Sequence, residues 1–233
     1  MKTQRIEALI IAIALVVMGL LLKQGLAGFS GRERVVNVKG LSEIEVPADK
    51  VTWPLVYKEI GNNLQVLYEK IRRNNETLIT FLVSNGMDPE EISINAPEII
   101  DMSADRYASS QATYRYNVTS VVTVSSTKVD LVRKLIGDQG ELLKQGIAIV
   151  GGDYMYQTVY SFTGLNEIKP KMIEEATRNA RAAAEKFAQD SESKLGKIKN
   201  ASQGQFSITN RDENTPYIKK VRVVTTINYY LND

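Results

Sequence analysis

The sequence predicts an α+β fold: a mainly antiparallel sheet with helices packed on one face, preceded by one N-terminal hydrophobic helix. Three observations predict it. Segments of period-two apolar/polar alternation come in pairs joined by short turns. Segments with apolar residues every three or four positions interrupt those pairs. One unbroken apolar run stands near the start. In chain order, the elements after that run read β-β-α-β-β-α-β-α-β-β.

The run extends from Ala8 to Leu22, behind Lys2 and Arg5, and only Gly19 interrupts it. A helix rising about 1.5 Å per residue reaches about 22 Å over this length, short of a hydrocarbon core of roughly 30 Å. Ile6 extends the run, and Lys2, Arg5 and Lys23 can snorkel toward headgroups. No polar face is present, so a core helix is the poorest reading. Two readings remain. Residues 1–23 are an uncleaved anchor that meets the membrane through residues 6–22, or they are a signal segment cut near Ala27, at Gly25-Leu26-Ala27. Lys2 and Arg5 keep the N-terminus cytoplasmic and place the rest across the membrane. Residues 24–34 serve as a linker, and residues 35–233 as one α+β domain.

Val36, Val38, Gly40, Ser42, Ile44 and Val46 share one face of a strand, with Asn37, Lys39, Glu43 and Glu45 on the other. A turn at Pro47-Ala48-Asp49 leads into a second strand, Val51 to Ile60, where Pro54 implies an edge or a bulge. Asn62, with Gln65 three residues on, starts a helix. Leu64, Leu67, Ile71, Leu78 and Leu82 form its stripe, and Asn85-Gly86 ends it. Ile92 to Ile100 is the next strand, residues 102–112 a loop, and Thr113 to Ser125 a long strand. Thr127 and Asp130 open a helix that breaks at Gly137, with a short second piece to Gly146. Ile147 to Thr163 reads as a strand region bent at Gly151-Gly152. The longest helix starts near Asn166–Pro170 and ends around Leu195-Gly196, with the stripe Ile168, Met172, Ala176, Ala180, Ala183 and Phe187. Strands over 197–209 and 218–231 finish the chain.

The chain has no cysteine and no histidine. Disulfides, thiolate nucleophiles and Cys/His zinc sites are therefore excluded, and the one side chain that titrates near neutrality is missing. A net charge of +2, from 29 basic and 27 acidic residues, argues against nucleic-acid binding, which needs concentrated positive charge. The glycines never fall into a phosphate-binding spacing. Glu90-Glu91, Glu174-Glu175 and Asp212-Glu213 are sequence neighbours whose side chains diverge, whereas carboxylates working on one bond must converge. Asp101 to Asp105 lacks the ligands and the glycine of a calcium loop. Arg72-Arg73 and Lys219-Lys220 with Arg222 read as solvated faces; for Arg32 and Arg34 membrane-surface contact is the alternative to a solvated position. No catalytic, cofactor or metal residue is assigned.

The aromatic content is skewed: eleven tyrosines against five phenylalanines and one tryptophan. Tyr107, Tyr114 and Tyr116 gather around the middle loop and strand, Tyr154, Tyr156 and Tyr160 around the bent strand, and Tyr229-Tyr230 near the end. Tyrosine suits interfaces because it joins an apolar body to a polar tip. Tyr107, Tyr114, Tyr116, Tyr154, Tyr156, Tyr229 and Tyr230 are therefore the interaction candidates, set against a role at the rim of the core.

The order of elements resembles the SIMPL domain family. That family opens with a V-x-V-x-G strand, a polar step and E-x-x-V-x-P-D; here the region reads Val36-Asn37-Val38-Lys39-Gly40-Leu41-Ser42-Glu43-Ile44-Glu45-Val46-Pro47-Ala48-Asp49. Gly86 through Ile94, Tyr116-Asn117-Val118-Thr119-Ser120-Val121 and the Ala-rich helix from Glu174 to Ala188 also look like family features. Arg115 stands where the family usually has glycine, and Ala48 separates the proline from the acid. The likeness covers roughly residues 35 to 231. It implies an exported bacterial envelope protein with links to stress tolerance, and no established catalytic residue or cofactor. The expected protein is non-enzymatic, single-pass in the inner membrane with its C-terminal domain in the periplasm. It acts by binding or self-assembly, as a homo-oligomer or with a protein partner. A histidine-free, carboxylate-dependent hydrolase and a small-molecule binding protein are the alternatives.

Overall fold

The alternation over residues 35–61 folds into two strands, β1 (Val35–Pro47) and β2 (Lys50–Gly61). The computed structural model describes residues 12–23, 34–104, 113–151 and 154–232, and its fold is α+β with antiparallel sheets. Residues 12–23 form helix α1, with Ile13, Val16 and Leu21 among its exposed side chains. Among the described residues, no helix is long and apolar enough to cross a membrane. The start of the expected apolar run, the expected cut site at Gly25-Leu26-Ala27, Arg32, Asp105, Tyr107 and Gly152 lie outside the described residues. The described residues fall into two compact units, one within Met1–Leu41, Glu174–Gly204 and Val224–Asp233, the other within Ser42–Ile173 and Gln205–Val223.

In the second unit β2 is the central strand. It pairs over its length with β5 (Tyr116–Ser126), from Val51 opposite Ser126 to Gly61 opposite Tyr116. On its other side, β6 (Val159–Ser161) covers only Lys50–Thr52. The far side of β5 carries β3 (Ile92–Ile94) and then β4 (Glu98–Asp101). The strand order is β3-β5-β2-β6, with β4 also on β5. Val51, Trp53, Leu55 and Tyr57 of β2 share a buried face with Val118, Val122 and Val124 of β5. Leu67, Ile71, Leu78 and Leu82 of helix α2 (Leu64–Ser84), and Val132 and Leu135 of helix α3 (Val129–Asp138), close over it. Truncating a fully buried leucine such as Leu78 to alanine costs about 2–5 kcal/mol. Helix α4 (Gly140–Lys144) adds Leu142 to this core. Strand β8 (Ser207–Asn210) pairs with the start of β9 (Ile218–Asn232).

The first unit has the strand order β1-β9-β7, where β7 is Lys194–Gln203. Ala180 and Ala184 of helix α5 (Leu165–Asp190) pack with Val38, Ile227 and Tyr229. Small residues on both sides allow this closeness. A Cβ on Gly40 would fall 1.8 Å from the Ala176 carbonyl oxygen and 2.4 Å from the Ala180 nitrogen. Asn179 Nδ2 also donates to the Leu41 carbonyl at 2.8 Å.

The acid of the Pro-Ala-Asp turn holds a helix start. The Asp49 carboxylate accepts from Thr163 N at 2.8 Å, Thr163 Oγ1 at 3.0 Å and Gly164 N at 3.0 Å, just before α5 begins. Ala48 N and Asp49 N donate to Tyr217 O and Ser161 O, fixing the turn.

Several local expectations are corrected. Asn63, not Asn62, caps α2: its Oδ1 accepts from Gln65 N and Val66 N, while Asn62 Oδ1 accepts from Arg115 N. No side chain caps α3, because Ser126 rather than Thr127 takes the Lys128 N–H. Ile92–Ile100 is two strands, since the register slips by one residue before Glu98, around Pro97, which lacks an N–H. Among the described residues of Ile147–Thr163, Ile149 and residues 159–161 bridge to β2; Tyr154–Tyr156 is a 3-10 turn. Helix α5 ends at Asp190, where Glu192 turns left-handed with φ 53°. Its buried stripe is Met172, Ala176, Ala180, Ala184 and Ala188, which leaves Phe187 58% exposed. The expected strand 197–209 is β7 and β8, parted near Gly204. Pro54 is tolerated on a central strand because β6 stops at Thr52.

Candidate functional site

An apolar concavity of the second unit lies where helix α2 stops short of the sheet edge. Antiparallel pairing sets Ile99 opposite Val118 and Ile94 opposite Val122, so both isoleucines point to the face that α2 covers. The helix sits over β5 and β2 and does not reach them: Ile94 is 52% and Ile99 53% exposed. Between the two runs a groove of about 420 Å³. Leu64, Leu67, Tyr68 and Ile71 form the helix wall, Ile94, Pro97 and Ile99 the edge, and Val118 the floor; Arg72 and Asn75 are its strongly polar members.

Those polar groups are engaged with neighbours. Arg72 reaches Glu69 at 3.1 Å and Glu76 at 3.0 Å along its own helix, pairs that help a helix by a few tenths of a kcal/mol. Asn75 takes the place a leucine would hold in the α2 stripe, and it is buried. Its Oδ1 accepts from Tyr57 Oη at 2.8 Å and from Ser120 Oγ at 3.3 Å, which satisfies what burial would otherwise make costly. Burial raises the Tyr57 hydroxyl above its usual range, opposed by the Ser120 hydrogen bond and reinforced by Glu59. Glu59, at the same end of the sheet, is held by Lys70 Nζ at 2.6 Å and Asn74 Nδ2 at 2.9 Å. Chemically, the groove offers desolvation of an apolar group beside a rigid polar network.

The tyrosine candidates do not converge. Tyr107 lies outside the described residues. Tyr114 is exposed, and Tyr116 is half-buried against the second unit's core under the Arg115 guanidinium, 4.9 Å from its ring. Tyr154 is 87% exposed. Tyr156 lines a smaller concavity of about 310 Å³ with Trp53, Pro54 and Ile149. Tyr229 is buried in the first unit's core, and its neighbour Tyr230 is half-buried with Lys199 Nζ 5.5 Å from its ring. Tyr160 meets Tyr217 edge-on at 6.2 Å, with the Arg133 guanidinium 3.5 Å from the Tyr217 ring.

Asp101 is committed to its own loop. Arg115 binds it through Nε and Nη2, Ser103 adds two hydrogen bonds, and these hold its carboxyl well below the usual carboxylate range. Among the described residues no cluster of three or more Asp or Glu side chains is arranged to hold a metal ion. Sequence reasoning missed the groove residues. Ile94 and Ile99 read as ordinary inward strand positions; the available signal was that a single helix stripe follows β2 while three strand segments need cover.

A family model matches residues 36–226: SIMPL, described as a protein of unknown function (DUF541). No curated protein matches the chain.

Proposed function

The chain belongs to the SIMPL family, and from that premise we propose a non-enzymatic envelope protein that works by binding through the α2–β4 groove. In this proposal it is held in the inner membrane through residues 6–22 with its C-terminal domain in the periplasm; export after cleavage near Ala27 is the second reading, favoured by the small residues there. The observation that supports binding is the half-exposure of Ile94 and Ile99 at the lip of an apolar groove. An exposed apolar strip of this kind on a sheet edge is a liability unless something covers it.

A photoreactive amino acid in place of Tyr68, in cells, tests the binding reading. A discrete adduct is expected there and not at Tyr154, and Ile99→Asp should abolish it. No adduct at Tyr68, or equal labelling at Tyr154, would remove the groove from consideration. Sequencing the mature N-terminus separates anchor from cleaved leader.

A further inference from the structure

The edge beside the groove has a hydrogen-bonding pattern that identifies what fits it. Met102 N donates to Arg115 O at 2.7 Å, so that pair is a hydrogen-bonded one. Antiparallel strands alternate, and the register runs on through Asp101 opposite Tyr116, Ile100 opposite Asn117, Ile99 opposite Val118 and Glu98 opposite Thr119. Ile100 and Glu98 therefore spend their backbone groups on β5. Ile99 and Asp101 turn theirs outward, to an edge that no other described strand pairs.

Resting on the binding reading above, we propose that the groove's occupant is a second copy of this chain, its β4 set antiparallel against β4 about a two-fold axis with Ile99 opposite Ile99. This register satisfies the edge. Ile99 exchanges N–H and C=O with its copy, and Asp101 N–H meets the carbonyl of Pro97, whose missing N–H costs only one bond per side. The same axis brings Ile99 against Ile99 on the groove face, extending the apolar surface formed by Leu64, Tyr68 and Ile94. An isologous contact of this kind closes on itself and leaves no further edge to grow.

Glu98 lies exposed opposite Ile100 of the copy, on the face away from the groove, where its carboxylate stays in solvent. An edge of the separate β1-β9-β7 sheet fits worse. Strand β7 carries Lys194, Lys197 and Lys199 and two register irregularities, the devices that keep an edge from pairing.

The cysteine-free chain makes the test direct. In the paired register the two Cα atoms of residue 99 stand about 5.5 Å apart, inside the roughly 4.4–6.8 Å a disulfide spans. Full-length Ile99→Cys, in mild detergent and under gentle oxidation, should run as a reducible dimer. Ile100→Cys, whose copies are diagonal neighbours about 7–8 Å apart, and Tyr154→Cys should form no disulfide and run as single chains on a denaturing, non-reducing gel. Light scattering should give twice the chain mass for the unaltered protein and a single chain for Ile99→Asp, with thermal unfolding confirming that this variant is folded. A single-chain mass for the unaltered protein, or equal cross-linking at all three positions, would overturn the proposal. A Tyr68 adduct whose mass is not that of two chains would overturn it too while leaving groove binding intact; no adduct at all would remove both.

Discussion

Gly40→Ala places a methyl where the backbone of α5 already is. The added Cβ would fall 1.8 Å from the Ala176 carbonyl oxygen and 2.4 Å from the Ala180 nitrogen. Neither atom can rotate away, because both belong to the helix backbone. Relief requires α5 to lift by well over 1 Å from the strand, and a gap of 0.5–1 Å already forfeits about a quarter to a half of each dispersion contact. Ala180 and Ala184 would lose contact with Val38, Ile227 and Tyr229. Overpacking costs about 1–3 kcal/mol where side chains can adjust. With backbone as the obstacle the expected loss is at the upper end, about 3 kcal/mol or more. For a chain of 150–250 residues that lowers Tm by about 6–12 °C, at roughly 2–4 °C per kcal/mol. Thermal unfolding followed by circular dichroism measures it. Gly196→Ala, where a Cβ would come 2.9 Å from Tyr230 O, should cost visibly less. A Gly40→Ala protein that melts within about 2 °C of the parent would refute the claim that this strand and helix touch backbone to backbone.

Three further outcomes follow from single side chains. Asp49→Ala removes the acceptor for Thr163 and Gly164 ahead of α5 and should cost about 2 kcal/mol, Asp49→Asn less, read as shifts in urea midpoint. Asn63→Ala should cost about 1 kcal/mol and speed amide exchange at Gln65 and Val66, whereas Asn62→Ala should leave those amides protected. Lys219 is buried with Asn210 as its hydrogen-bond partner, and burial lowers its pKa below the ordinary lysine value. Between the lowered folded pKa and the ordinary one the unfolded chain binds more protons, so stability rises with pH in that window and the burial penalty is felt in full below it. Lys219→Met should therefore raise Tm at neutral pH and flatten its rise in the alkaline range; a lower Tm would show that the ammonium is stabilising where it lies.

Where periodicity and chemistry agreed, the fold was legible. The 2-residue alternation of β1 and β2, the Asn85-Gly86 stop, realised with Gly86 at φ 95°, and the alanine stripe of α5 each follow from local rules. What failed was decided by more distant groups. Asn62 and Asn63 are equally good caps in isolation; Arg115, 53 residues on, takes the first one's oxygen. The expected α5 stripe holds at Met172, Ala176 and Ala180; beyond them Ala184 and Ala188 are buried, Ala183 is partly buried against the same core, and Phe187 is exposed. Phe187 is left outside because the buried face runs through Ala184 and Ala188, and position 187 falls off that row.

The site was harder to read than the fold because it consists of missing cover, and a sequence lists only what is present. Tyrosine enrichment pointed to individual side chains, and the structure scatters those between core, rim and surface. The groove instead arises from counting. β3, β4, β5 and β2 turn apolar side chains to one face, while α2 and α3 together cover β5 and β2. Leu64 belongs to the apolar stripe of α2 yet is 42% exposed, and the isoleucines it faces are equally half-covered. An α+β layer that stops one strand short of its sheet edge has made room for something of about that width. Beside that gap, the outward backbone of Ile99 and Asp101 is what the proposed second β4 would pair with.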